Sequence, residues 1–397
     1  MPNTLFSALK PLPDDPILGL NEEFKKDARP EKVNLGVGVY LTAEGKLPLL
    51  KTVETAEERL LARQTTHGYT AMSGNPLFCD AVQNLVFGDI DARQEKRICS
   101  VQTLGGTGAL RLGAELAHDY LGATNGYVSN PTWGNHISIF EHAGLEVAKY
   151  PYYNAATHAV DADAFKTYLK GLAPKSLVLL HACCHNPTGA DLSKADWQEV
   201  LEIVQERELI PFIDMAYQGF GAGLDEDPYG IRLLANANVS LLVASSCSKN
   251  FALYGERTGA LHIVSGSAEE ANTLCSILKS LVRKEYSNPP AHGANVVTEV
   301  LTTPELYSAW QEETTAMRAR VKTMRTLLVA AAKKHGLNMD FIAEQNGMFS
   351  FTGFSAEQML ALRKEYGVYG VNNGRICVAG LNENNVNYVA ETMAKIA

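Results

Sequence analysis

Between residues 99 and 264 the chain changes its hydrophobic period again and again. Runs such as SLVLLH (176–181) and LIPFID (209–214) are apolar without alternation, the pattern of strands buried on both faces. Similar runs lie at 99–104, 126–129, 145–152, 241–246 and 259–264. Between them, 106–121, 133–143, 162–172 and a segment capped by Ser193 and ending near Arg207 carry apolar residues at helical spacing. A strand that re-enters a sheet parallel to its neighbour needs a long crossover, and a helix supplies it. The expectation is therefore an α/β fold, with a large domain whose mostly parallel sheet is sandwiched by helices.

The pattern changes after Ala268. Helical periodicity dominates to His335, broken by Pro289-Pro290, and 304–335 reads as one long helix suited to bridge two domains. Beyond it, 347–352, 355–366, 369–371, 375–378 and 385–396 form a smaller α+β set. The segment up to about Tyr40 is too small to fold alone and is expected to cross the surface and join that set. The expected division is an N-terminal arm over 1–12, a small domain from 13–45 and 314–397, and a large domain over 46–313. Two domains suit 397 residues at roughly 100–200 residues each.

Charge and cysteine usage narrow the function. Against 44 acidic residues stand 35 basic ones, a net charge of −9, which excludes a general nucleic-acid binder that must neutralise phosphates. No apolar run is long enough to span a membrane, and the first ten residues lack the apolar core of a signal peptide, so a cytoplasmic protein is expected. The seven cysteines (79, 99, 183, 184, 247, 275 and 377) make no disulfide framework and suit a reducing compartment.

Open α/β sheets bind ligands beyond the carboxyl ends of their strands, and four stretches there carry chemistry. Gly105-Gly106-Thr107-Gly108 joins a strand to a helix; it is either an anion-binding helix start or simply a glycine-softened one, and it lacks dinucleotide spacing. Lys249 lies just past an apolar strand in Ser245-Ser246-Cys247-Ser248-Lys249, with Arg257 eight residues on. Partial desolvation lowers an amine's pKa and makes it a nucleophile, while Ser246 and Arg257 are donors for an anion. Asp214 ends another apolar strand, where a carboxylate is costly unless it meets a cation or a donor; it either holds a pyridine proton, with Tyr217 nearby, or caps the next turn. In His181-Ala182-Cys183-Cys184-His185-Asn186-Pro187-Thr188-Gly189 the two cysteines invite a zinc reading, but the paired spacing of a structural site is missing, and no metal is expected. Asn-Pro-Thr-Gly is turn chemistry that puts the Asn186 amide at a strand end.

Together these stretches resemble the class I, fold-type I pyridoxal-phosphate aminotransferases, in their aspartate and aromatic amino acid branch. The resemblance spans essentially the whole chain and includes Asp15-Pro16-Ile17-Leu18, Val33–Gly38, Asn130-Pro131-Thr132-Trp133, Tyr286–Pro290 and Gly374-Arg375. It implies pyridoxal 5′-phosphate (PLP) bound as an aldimine to Lys249, which also shuttles the proton, with Asp214 on the pyridinium nitrogen and His136 and His181 positioning Asp214. Asn186 and Tyr217 would donate to the phenolic oxygen, and Trp133 would stack on the ring. Gly106, Thr107, Ser246 and Arg257 would hold the phosphate, with Tyr69 reaching in from a second subunit of a homodimer. Arg375 would grip the substrate α-carboxylate, near Gly38, Trp133 and Asn186. Arg283 would take a distal carboxylate across the dimer interface.

The resemblance also implies amino-acid and 2-oxo-acid substrates. Leu41 and Leu47 favour an aromatic side chain, whereas Val39, Thr107 and Asn288 look more like the aspartate type. The reading favoured here is an aromatic aminotransferase that keeps acidic substrates, with a plain aspartate aminotransferase as the alternative. Fold-type I lyases and decarboxylases share the lysine and aspartate but have no use for two carboxylate-binding arginines. A non-catalytic relative would not need Lys249, Asp214, Tyr217 and Arg257 intact.

Overall fold

The computed structural model describes residues 5–11 and 18–397, so the Asp15–Ile17 part of the family motif lies outside the described residues. Seven strands form the central sheet: β1 (Ile98–Leu104), β2 (Asn125–Asn130), β3 (Glu146–Pro151), β4 (Leu177–His181), β5 (Ile210–Met215), β6 (Leu241–Ser246) and β7 (Thr258–Val264). Their spatial order is β1-β7-β6-β5-β4-β2-β3. All pairings are parallel except the two made by β7, which runs antiparallel to β1 and β6. The loop over 247–257 that joins β6 to β7 is too short for a crossover helix, so the chain turns straight back.

Both faces of the sheet are covered, as the unbroken apolar runs require. Leu177 and Leu179 of β4 pack with Leu110, Phe140 and Leu278 on one side. Val178 and Leu180 point the other way, toward Phe165, Trp197 and Leu234. Burying each such side chain contributes about 1.5–3 kcal/mol. Ser193 caps the helix Lys194–Arg207 through a reciprocal capping box with Asp196. No sequence assignment covers 46–97; there the chain forms helices Lys51–Arg63, Pro76–Phe87 and Asp91–Gln94.

Segments from the two ends of the chain also pair. Val33–Asn34 pairs in parallel with Val368–Tyr369, and Phe349–Phe351 pairs antiparallel with Arg375–Cys377. Helix Pro304–Lys334 is continuous over 31 residues and buries Trp310, Met317, Val321 and Leu328. Among the described residues no helix is long and apolar enough to cross a membrane. The cysteine reading needs one correction. Cys99 of β1 and Cys275 of helix Ala268–Glu285 are joined by a disulfide across 176 residues, and the other five cysteines are free and buried. The helix packs on that edge of the sheet through tertiary contacts, so no local spacing could have revealed the pair.

Candidate active site

The strand register assembles the site. His181 lies opposite Asp214 at the carboxyl ends of β4 and β5, and Met215 lies opposite Ser245 on β6. Gly259 pairs with Ser246, and Thr258 with Leu104, which carries Arg257 to the start of helix Gly105–Asp119. Gly105 has a φ of +66°, and a Cβ there would stand 2.8 Å from an Arg257 nitrogen, so the glycine lets helix start and guanidinium approach. Around these ends lies a cavity of about 870 Å³. Its walls bring together Gly38, Gly106, Thr107, Trp133, Asn186, Asp214, Tyr217, Ser246, Lys249, Arg257 and Arg375, all singled out from the sequence.

The inner end is fully built. Asp214 is buried, and its Oδ2 accepts from Nε2–H of His136 at 3.1 Å. A carboxylate only accepts, so that nitrogen carries a proton, while Nδ1 of His136 shares a hydrogen bond with the Thr132 hydroxyl at 2.8 Å. Burial pushes the Asp214 pKa upward, but the His136 hydrogen bond, helped by the nearby Lys249 ammonium, wins, holding the carboxylate below its usual range. The His181 ring stands 5.2 Å from that of His136, and neither of its nitrogens has a hydrogen-bond partner. Burial first, then His136, push its pKa down to about 3, so it stays a neutral wall. His136, His181 and Asp214 bring their ligand atoms within 4.8 Å of one another, while Cys183 and Cys184 stand outside that group.

Lys249 sits where the cavity narrows, with Nζ 4.7 Å from the centre of the Tyr217 ring. Desolvation is the main force on its amine; Asp214 opposes it, Arg257 and Arg375 reinforce it, and the pKa falls to about 8. Tyr217 is buried against Phe349, ring centres 5.8 Å apart, and burial drives its phenol well above the ordinary value. Arg375 is buried too. It donates to Oδ1 of Asn186 at 3.2 Å and to the Gly36 carbonyl at 2.8 Å, and it lies 4.4 Å over the Phe349 ring.

Two predicted residues lie elsewhere in the single chain. Tyr69 is 95% exposed, and Arg283 is exposed near the end of its helix and bonded to the Ser287 hydroxyl; neither lines the cavity. Leu47 is exposed, Leu41 half-buried, and Asn288 donates to the Thr70 carbonyl at 3.1 Å, all three outside the cavity wall. The sequence reading missed Thr132 and Phe349. Thr132 could have been found from its place one turn before His136; Phe349 carries no signal, being one apolar residue in a short strand.

The donor set fits PLP part by part. A helix N-terminus with Ser246 and Arg257 suits a phosphate. The buried, ionised Asp214 suits a pyridinium, the Trp133 ring suits its face, and an amine titrating near pH 8 suits an aldehyde carbon. Fold and cavity thus define a PLP enzyme on a mainly parallel, doubly covered sheet.

Comparison with known proteins agrees. Residues 30–393 match the family described as Aminotransferase class I and II. The chain is 44% identical to the aspartate aminotransferase of Pseudomonas aeruginosa, over 99% of its length and all of that protein. It is 46% identical to the aromatic-amino-acid aminotransferase of Escherichia coli, over 99% and 100%. The crystal structure of the aromatic-amino-acid aminotransferase of Burkholderia pseudomallei, covalently bound to pyridoxal phosphate, superposes with a TM-score of 0.96 at 46% identity, covering 99% of both chains. The chain belongs to the class I and II aminotransferases, and it is a PLP-dependent transaminase.

Proposed function

We propose that the enzyme moves the amino group between aromatic or acidic L-amino acids and 2-oxoglutarate in two half-reactions of a ping-pong cycle. The observation that carries this reading is a single cavity holding a lysine amine with its pKa drawn to about 8 beside a buried arginine. When bound, PLP supplies an electron sink for the electrons left at the substrate Cα. The Lys249 amine would hold its aldehyde carbon and, where neutral, would move the proton at the substrate Cα. A pKa near 8 leaves its amine partly neutral at neutral pH, as proton removal requires. Asp214, held by His136, keeps the ring nitrogen protonated. Asn186 and Tyr217 hold the phenolic oxygen, and Trp133 covers the ring face. Gly106, Thr107, Ser246 and Arg257 hold the phosphate, and Arg375 clamps the α-carboxylate beside Gly38.

Tyr69 and Arg283 act, on this reading, in the cavity of a second copy, so the working unit is a cytoplasmic homodimer. Their exposure in the single chain supports this, because a tyrosine and an arginine reserved for a neighbour's ligand must project outward. The small domain, 13–45 with 314–397, would carry Arg375 against the large domain, 46–313, with 1–12 as an arm. Arg283 would meet a dicarboxylate and move aside for a ring. The competing reading, a plain aspartate aminotransferase, draws on Thr107 in the cavity wall.

Measuring kcat/KM for aspartate, tyrosine, phenylalanine and tryptophan with 2-oxoglutarate decides between them. Comparable values for aspartate and the aromatic substrates are expected. Fast aspartate turnover with almost none of phenylalanine or tyrosine would establish the aspartate-only reading.

A further inference from the structure

Asp191 has no part in the scheme above, yet its carboxylate sits at a crossing of two segments that build the cavity. Its oxygens accept from the backbone N–H of Cys184 at 2.9 Å and of His185 at 2.8 Å, in the turn that ends on Asn186. The same carboxylate accepts from Nδ2 of Asn346 at 3.2 Å, and the Asn346 N–H donates back to the Gly189 carbonyl at 2.7 Å. Asn346 opens the run into strand Phe349–Phe351, which pairs with Arg375–Cys377. At this crossing Gly347 has a φ of +74°, and a Cβ there would stand 2.4 Å from the Cys184 Cβ, so the two segments touch backbone to backbone. The strand side is anchored separately: the buried Arg325 guanidinium donates to the carbonyls of Asn346 and Gly347 at 3.1 and 2.7 Å.

The contacts close a ring. It runs from Asn186 through its turn to Asp191, across to Asn346, along strand Phe349–Phe351 to Phe351, over the strand pair to Arg375, and back to Asn186 through the 3.2 Å hydrogen bond. We propose that Asp191 is a positioning residue that locks the Asn186 turn to the Phe349 strand and so sets the Asn186–Arg375 spacing before substrate arrives. Because Arg325 holds the strand independently, loss of Asp191 releases the turn and leaves the strand in place. The inference rests on Arg375 binding the substrate carboxylate.

The test uses holoenzyme and succinate, a dicarboxylate with neither amino nor oxo group, titrated through the visible absorbance of the bound cofactor. Asp191→Asn and Asn346→Ala are each expected to weaken succinate binding and raise the KM for aspartate by roughly three- to ten-fold, the worth of one hydrogen bond. Under saturating substrate kcat should fall less, because the substrate itself then holds Arg375. The double variant should bind succinate no more weakly than the worse single one, since both break one link. Asn346 is exposed, so Asn346→Ala tests the link even where Asp191→Asn folds poorly. Succinate binding unchanged in Asn346→Ala, or losses that add in the double variant, would overturn the proposal. Arg375→Leu separates the two ideas. If it too leaves succinate binding intact, the carboxylate role of Arg375 has failed; if it alone weakens binding, only the role of Asp191 has.

Discussion

The two ends of the cavity are built to different degrees. Around Asp214 a single chain supplies the surroundings: the carboxylate is buried, oriented and kept charged by the His136 hydrogen bond, and walled by His181. Away from the cavity wall, Arg283 and Tyr69 project outward, with Arg283 bonded to the Ser287 hydroxyl just past its helix and Tyr69 almost wholly exposed. The electron-sink end must be dry and rigid to hold one protonation state, so it belongs in the core of one fold. On the proposed function, the end that admits varied side chains draws on residues that move or are lent by a neighbour, and these belong on the surface.

That contrast can be broken by substitution. Lys249→Ala should abolish transamination, by about 10⁴-fold or more as for other removed nucleophiles, while PLP still binds by equilibrium dialysis. Substantial remaining turnover would refute its role. Asp214→Asn should cost roughly 10²–10³-fold in kcat, the scale of losing one preorganised charge partner, for aspartate and phenylalanine alike. A loss confined to one substrate would mean that Asp214 reads the side chain. Arg283→Leu should lower kcat/KM for aspartate by roughly 10²-fold, since an unpaired carboxylate costs a few kcal/mol, and leave phenylalanine nearly unchanged. Equal losses would make Arg283 structural.

A pH experiment sharpens the same comparison. Only the neutral amine attacks an aldehyde, and burial draws the Lys249 pKa down from 10.5 to about 8. The rate at which PLP joins the apoenzyme should therefore climb by about ten-fold per pH unit below pH 8 and level off above it. A climb that continues to pH 10 would place Lys249 in water. The smallest effect is expected at the rim. Tyr69→Phe should weaken PLP about three- to ten-fold, the worth of one hydrogen bond. Mixing it with an Arg257→Ala chain tests whether Tyr69 serves the neighbour: hybrid dimers would then regain one intact site, and no regained activity would place Tyr69 outside its partner's cavity.

Legibility followed the same divide. Lys249, Asp214, Ser246 and Asn186 sit at or just past the ends of uninterrupted apolar strands, where any open α/β sheet gathers its ligand groups, so residue type and strand period marked them as candidates, while their expected roles came from the family resemblance. Helix Pro304–Lys334 and the Ser193 cap were readable because periodicity and capping are local. The antiparallel turn of β7 followed from a short loop whose consequence becomes visible only once the sheet is drawn. The Cys99–Cys275 bond, the place of Phe349 beneath Arg375 and the Asp191–Asn346 link join segments up to 176 residues apart, and no local pattern encodes them.

By itself, then, the amino-acid order determined the alternation of strand and helix and the residue types at the strand ends, because each is a local property of period, charge and turn geometry, and the class of chemistry followed from the resemblance those residues carry. Tertiary structure decided how far the site's groups shifted and which neighbours shifted them. Burial of Lys249 beside Arg257 and Arg375 makes its amine weakly basic, and the His136 contact keeps a buried Asp214 ionised. Both effects depend on distance and desolvation through space, which a linear sequence does not carry.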